Sequence, residues 1–231
     1  VAEQTILIIE DDPEIRNIIQ LYLQKNQYVV ALAEHGDEGI AKMLAVQPDL
    51  IILDVLLPGM NGFEVCKEIR KLSSVPILFV SCMMEEHDKI VGLGVGGDDY
   101  ITKPFSPNEL VARVKAHLRR PYLSGNAPNR LEKIQYKGLI MDVLNRHVSV
   151  DGIAVNLAKK EFELLKYLGS HPGKIFTHEE LFREIWGQES YNDTRTIIVH
   201  ISNLRKKIEP DPTNPQYIIN VHGVGYKFNA S

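Results

Sequence analysis

The sequence predicts a doubly wound α/β domain on a five-stranded parallel sheet, followed by a smaller α+β domain. Three observations carry that prediction. Within residues 1–120, short apolar runs alternate five times with amphipathic stretches. The runs are almost continuously apolar, as in TILIIE (5–10), DLIILD (49–54) and PILFVS (76–81), which suits strands covered on both faces. Beyond a turn-rich stretch at 121–130, residues 131–231 change to short strands, three helical stretches and a closing hairpin.

TILIIE reads as the first strand. Asp12-Pro13-Glu14 opens a helix to about Lys25, with Asp12 as N-cap and Pro13 in the first turn. YVVALA (28–33) is the second strand, and Glu38 to Gln47 a helix stopped before Pro48. DLIILD is the third strand, and Phe63 to Leu72 a helix with apolar Phe63, Val65, Cys66 and Ile69. PILFVS is the fourth strand, and His87 to Gly92 a short helix. Asp99 to Thr102 is the fifth strand, and Ser106 to Arg120 the last helix, with Ser106 and Glu109 as cap and first-turn signals. Pro121 to Arg130 has no period and reads as a linker. After it, IQYKGLIMDV and RHVSVDGIAVNL are short strands with Asp151-Gly152 as a hairpin turn. Helices are expected at about 158–170, 177–186 and 194–209. QYIINVHGVGYKFNA then makes two short strands around His222-Gly223-Val224-Gly225.

Totals narrow the function classes. An apolar fraction of 44% suits globular domains. The longest apolar runs are far below the roughly 20 residues that cross a bilayer. The first residues lack the basic segment of a signal peptide, and two cysteines, Cys66 and Cys82, make no disulfide framework. The expectation is a cytoplasmic chain without membrane partners. Residues 1–120 hold 12 Lys/Arg against 18 Asp/Glu, a net of −6, whereas 131–231 hold 13 against 12, a net of +1. The two halves therefore suit different partners.

Glu10, Asp11 and Asp12 end the first strand, and Asp54 ends the third. Carboxylates crowded together resist ionisation, and a hard cation removes the conflict. Mg²⁺ suits one or two carboxylates, waters and phosphate oxygens. Lys103 brings a positive charge to the same sheet edge and Ser81 a hydroxyl. Carboxylate nucleophile, metal, lysine and hydroxyl together suit attack on a phosphoryl group. The rival reading of the acidic triplet is a helix cap; the contexts of Asp54, Ser81 and Lys103 at three other strand ends outweigh it.

Through ILIIEDD, DLIILDVLLPGMNG, PILFVS and GDDYITKPF, residues 5–120 resemble the flavodoxin-like receiver domain of two-component response regulators. The resemblance implies that Asp54 is the phosphoacceptor. It implies that Glu10, Asp11, Asp54 and the backbone carbonyl of Leu56 hold Mg²⁺, and that Ser81 and Lys103 bind phosphoryl oxygens. Ser81 and Tyr100 would form the switch pair, the ring turning inward on phosphorylation. Departures are small. Cys82 stands where a small residue is usual, and Gly94, Gly96 and Gly97 make a loop expected to loosen the switch face. Leu56 and Met83 put apolar side chains beside the acid site, which would hinder water and lengthen the phosphoaspartate's life.

In the second half, Ile197, Ile201, Leu204 and Ile208 give the last long helix one buried face. Thr196, Val199, His200, Asn203, Lys206 and Lys207 are expected on its exposed side, with Arg195 and Arg205 at the margins. Sheet, three helices and hairpin make a winged helix. RTIIVHISNLRKKIE and YIINVHGVGYKF are similar to the effector domain of the OmpR/PhoB subfamily. That resemblance implies phosphate contacts from Trp186, Arg195, Thr196, His200, Arg205 and Asn220, base contacts from Ile198, Val199 and Asn203, and minor-groove entry by His222. Ile198 stands where Asp is frequent, and Asn203 and His222 where Arg is frequent. An amide suits adenine, and aliphatic side chains suit thymine methyls, so an A·T-leaning half-site is expected.

The resemblance also implies a sensor histidine kinase as donor, double-stranded promoter DNA as target, RNA polymerase as a further partner, and a receiver homodimer on phosphorylation. Lys89–Glu109 and Asp99–Arg113 are the cross-dimer ion pairs it suggests. No enzyme activity is expected beyond self-phosphorylation from phosphodonors and autodephosphorylation. A Mg²⁺-dependent phosphohydrolase and a phosphorylation-independent DNA binder are the competing readings. The first lacks a visible specificity segment, and the second would not need the intact acid site.

Overall fold

The computed structural model describes residues 4–83, 86–118, 133–187 and 195–229; the side chains of 86, 87, 89 and 195 lie outside that description. The chain divides into two compact units, 1–119 and 120–231.

In the first unit β1 (Thr5–Ile9), β2 (Val29–Ala33), β3 (Leu50–Asp54), β4 (Ile77–Ser81) and β5 (Asp99–Thr102) form one parallel sheet in the order β2-β1-β3-β4-β5. The helices between them are α1 (Pro13–Lys25), α2 (Gly36–Val46), α3 (Gly62–Leu72), α4 (Glu86–Gly94) and α5 (Pro107–Leu118). Strand alternation divides the core in two. Ile6 and Ile8 face Ile19 and Leu23 of α1 and Leu110 and Val114 of α5. Leu7 and Ile9 face Met43 of α2 and Val65 and Ile69 of α3. Both faces are covered, which explains the unbroken apolar strands. Asp12 caps α1 as its sequence signals: its carboxylate accepts from the N–H groups of Glu14 (2.8 Å) and Ile15 (3.3 Å). Asn61 and Glu64 form a capping box on α3.

In the second unit β6 (Lys133–Tyr136), β7 (Leu139–Asp142), β8 (His147–Val150) and β9 (Ile153–Ala154) form an antiparallel meander. Then follow α6 (Lys159–Gly169), β10 (Ile175–Thr177), α7 (His178–Trp186), α8 (Arg195–Ile208), β11 (Ile218–Val221) and β12 (Gly225–Phe228). One core joins the helices to both sheets, with Ile134, Leu139, Phe162, Leu165, Phe182, Ile197 and Phe228 among its members. The sheet, the helices and the β11–β12 hairpin are the winged helix.

β10 differs from the sequence reading, which had no strand there. It pairs with β12, making the hairpin a three-stranded sheet in the order β10-β12-β11. The pairing joins residues 48 to 52 apart along three positions, too short to leave a local pattern. Gly225 permits it: a Cβ there would sit 2.0 Å from the Phe176 carbonyl oxygen.

Candidate functional site

The carboxyl end of the parallel sheet gathers the first site. Glu10 follows β1, Asp54 ends β3 and Lys103 follows β5, so the topology alone turns them to one edge. Gly62 keeps α3 hard against the third strand, because a Cβ there would sit 2.1 Å from the Asp54 carbonyl oxygen. Lys103 Nζ donates to both Glu10 oxygens (2.9 and 2.8 Å) and to Asp54 Oδ2 (2.7 Å). Asp54 Oδ1 accepts from the Leu56 N–H at 3.0 Å. Glu10, Asp54 and Lys103 are all buried, while Asp11 is exposed. One ligand oxygen from each of Glu10, Asp11 and Asp54 lies within 4.8 Å of the others.

The electrostatics follow from that crowding. Burial pushes the Glu10 carboxyl up to about 7; Lys103 pulls it back and Asp54 pushes it further. Burial pulls the Lys103 ammonium down, but the two carboxylates outweigh it and hold it above its usual range. One lysine therefore serves two acids, and the edge carries an excess of negative charge. The donor set is all oxygen, which fits a hard divalent cation.

Ser81 ends β4 at the same edge, and its hydroxyl accepts from the Met83 N–H at 3.4 Å. Tyr100 is turned inward. Its ring lies 6.0 Å from that of Phe79, and its hydroxyl donates to the Met83 carbonyl at 3.2 Å. Burial pushes the phenol up to about 12, with the Ser81 hydroxyl pulling the other way. The glycine-rich loop is pinned, contrary to expectation. Arg70 donates to the Gly96 carbonyl (2.8 Å) and pairs with Asp98 (2.7 Å), and a Cβ on Gly97 would sit 2.5 Å from the Phe79 ring. Close approach, not looseness, accounts for that glycine. Cys66 is buried, which pushes its thiol up to about 12, and Cys82 is exposed.

The acid–base pairs expected across a dimer are corrected in part. Asp99 and Arg113 are joined within one chain: Nη1 donates to both Asp99 oxygens at 2.9 and 3.0 Å. The same guanidinium holds Glu109 at 3.1 and 3.0 Å, because Glu109 lies one helical turn earlier on α5. His117, which sequence reading missed, lies 3.3 Å from Asp99 on the next turn. Asp99 and Arg113 are buried rather than surface charges. Burial works against the Asp99 carboxylate, but Arg113 and His117 hold it well below the usual range. The Lys89 side chain lies outside the described residues.

The second site is α8 with the wing. Ile197, Ile201, Leu204 and Ile208 are buried, as their spacing predicts. The expectation that Thr196, His200 and Asn203 are exposed is overturned: all three are buried. Their stripe turns toward α6 and α7. His200 stacks on Trp186 (5.1 Å between centroids), which stacks on Phe182 (5.4 Å). Further along the stripe, Lys207 donates to Glu161 of α6 at 2.6 Å. Among the described side chains the outward stripe is Ile198, Val199, Ser202 and Lys206, of which Ser202 was missed. Its signal was available, four residues after Ile198.

Arg205 leans over the Tyr226 ring and donates to the Ile218 carbonyl (3.1 and 2.7 Å). Glu209 accepts the N–H groups of Gln216, Tyr217 and Ile218. Together they clamp β11 to the end of α8 and so fix the wing relative to the helix. A groove of about 640 Å³ opens between them, with Ile198 on one wall, Asn220 and Val224 on the other and His178 at the start of α7. Asn220 and His222 are exposed on the hairpin, Trp186 is buried, and the Arg195 side chain lies outside the described residues.

A strand-end acid pocket in one unit and a winged helix in the other define a two-part regulator, a receiver with a DNA-binding output. The family model of the response regulator receiver domain matches residues 6–115, and that of the C-terminal region of transcriptional regulatory proteins matches 152–228. The transcriptional regulatory protein ResD of Bacillus subtilis (strain 168) is 41% identical over 233 residues, covering 99% of this chain and 97% of that protein. A mutant of RitR superposes with a TM-score of 0.80 at 27% identity, over 99% of this chain and 100% of that one. DrrB of Thermotoga maritima, an OmpR/PhoB homolog, does so with 0.50 at 30% identity, over the same shares. The chain belongs to the OmpR/PhoB family of response regulators. It is a phosphorylation-activated transcription regulator with receiver and DNA-binding parts, not an enzyme in the usual sense. Among the described residues no helix is long and apolar enough to cross a membrane.

Proposed function

We propose that Asp54 is the phosphoacceptor and that its phosphorylation by a sensor histidine kinase governs how the winged helix grips promoter DNA. One observation carries this: a buried lysine bonded to both Glu10 and Asp54, with the Asp11 carboxylate close by. An Asp54 oxygen attacks phosphorus, forming the acyl phosphate as the bond to the donor's leaving group breaks. Lys103 and the Leu56 N–H hold the carboxylate in place for that attack. Glu10, Asp11 and Asp54, with the Leu56 carbonyl, would hold Mg²⁺, which when bound neutralises charge on the transferring group. Lys103 and the Ser81 hydroxyl would then bind phosphoryl oxygens, and the inward Tyr100 ring fills the space the hydroxyl leaves.

We assign receiver pairing to the face carrying Lys89, Asp99, Glu109 and Arg113, with the Arg113 cluster ordering that face from inside. Residues 1–120 form the receiver, 121–130 the linker and 131–231 the effector, in a cytoplasmic protein that also meets RNA polymerase. In the effector, Arg195, Asn220 and Lys206 suit phosphate contacts, His222 the minor groove, and Ile198 and Val199 base edges. Trp186, Thr196, His200 and Asn203 support α8 from behind.

The test is duplex binding by wild type and Asp54→Ala, each with Mg²⁺ and with or without acetyl phosphate. Tighter binding with the donor in wild type alone is expected, together with a base-labile phosphoryl mass at Asp54. Equal binding by both proteins under all conditions would refute the reading.

A further inference from the structure

Among the described side chains, the outward face of the N-terminal half of α8 lacks those that read purines. Two-point readout takes a guanidinium or ammonium for guanine, or an amide for adenine. Asn203, the one amide of α8, is buried on its flank. Arg205 is tied to the Ile218 carbonyl. Lys206 lies in the last turn, away from the N-terminal half of the helix that meets base edges. Among the described side chains of that half, the outward ones are Ile198, Val199 and Ser202. Ile198 is 48% exposed, and it faces an equally exposed Val224 across the groove.

A branched aliphatic side chain standing in water at a nucleic-acid interface has one apolar counterpart on a base edge, the C5-methyl of thymine. We propose that Ile198, with Val199 beside it, selects thymine by packing on C5-methyl groups in the major groove, so that the half-site is specified by methyl positions rather than by paired hydrogen bonds to purines. The proposal rests on the reading of α8 as the DNA-facing helix. Of the three base contacts the resemblance implied, it keeps Ile198 and Val199, one exposed and one half-buried, and drops the buried Asn203.

The experiment isolates the methyl. Full-length protein with Mg²⁺ and acetyl phosphate selects duplexes from a random pool. Each thymine of the recovered half-site is then replaced by deoxyuridine, which lacks only the methyl. One or two replacements should weaken binding about fourfold, the effect of withdrawing one methyl-sized group from an apolar contact. Ile198→Ala, a change at an exposed position that leaves the core untouched, should bring the thymine-to-uracil ratio to about one at one of those positions. A ratio of one at every position in wild type overturns the methyl assignment and leaves the DNA-binding reading standing. A loss that persists unchanged in both Ile198→Ala and Val199→Ala overturns it equally. Recovery of no duplex at all overturns the reading beneath it.

Discussion

The acid pocket and the outward face of α8 solve opposite problems. In the pocket, Glu10, Asp54 and Lys103 are buried within hydrogen-bonding distance, and the lysine offsets two carboxylates that repel each other. On α8, the outward side chains stand singly in water, and the buried ones at its flank serve packing. Chemistry on a phosphoryl group needs charge held out of water at fixed distance. Recognition of a duplex needs a rigid surface whose own groups are free to meet the ligand. A change in the pocket should therefore act on folding and phosphorylation at once, whereas a change on the outward face should act on binding alone.

The largest effect expected from that contrast is at Lys103. Lys103→Met leaves Glu10 and Asp54 buried without their cation, and loss of one partner from such a group costs about 4 kcal/mol. Denaturation of the variant should show that loss in metal-free buffer and recover much of it on adding Mg²⁺, which takes over the missing charge. An unaltered midpoint in metal-free buffer would mean that the pocket is wetter than its geometry implies. Arg113→Ala should cost somewhat less, about 3 kcal/mol, because Asp99 keeps the nearby His117. Its cost should shrink in acid as Asp99 is protonated, since a carboxylate with a depressed pKa gives stability that is lost as pH falls.

Glu10 runs the other way, and pH sharpens the comparison. Its carboxyl sits at about 7 when folded, against about 4.5 in the unfolded chain. Between those values the native state keeps a proton that the unfolded chain has released. Its contribution to stability is complete below the lower value and is lost as pH rises through the upper one. Mg²⁺ must displace that proton. Affinity for Mg²⁺, read by calorimetry, should rise about tenfold per pH unit across the window and level off above it. Glu10→Gln should flatten the profile; a slope that survives in that variant would place the proton elsewhere.

The same contrast explains what could be read from the sequence. Glu10, Asp54, Ser81 and Lys103 were legible because a parallel sheet delivers its strand ends to one edge, whatever the details of packing. The buried stripe of α8 was legible because its period is long and regular. Asn203 and His200 were misread because periodicity tells core from not-core, and a flank stripe counts as not-core until the neighbouring helices are in place. Trp186 of α7 and Glu161 of α6 fill that role, and nothing local in the sequence announces it. Asp99 was misread for a related reason: its partner is one strand-to-helix turn away and within its own chain, so an ion pair assigned across a dimer was already made inside one molecule.

The smallest effect expected, and the finest probe of which way α8 faces, is a pair of substitutions three residues apart. Lys206 stands outward in the last turn, and the proposed function puts it against the duplex backbone. Lys206→Ala should weaken binding a few-fold at every sequence alike and lower the salt slope by about one counterion. Asn203 faces the helices behind. Asn203→Ala should leave the preferred bases and the salt slope unchanged, and should lower the effector's stability by about 1 kcal/mol through the loss of a buried polar partner. If Asn203→Ala instead relaxes the preference at one base pair without destabilising the fold, the helix is turned by about a quarter of a turn from the orientation described, and the pocket and the helix face are less different than they look.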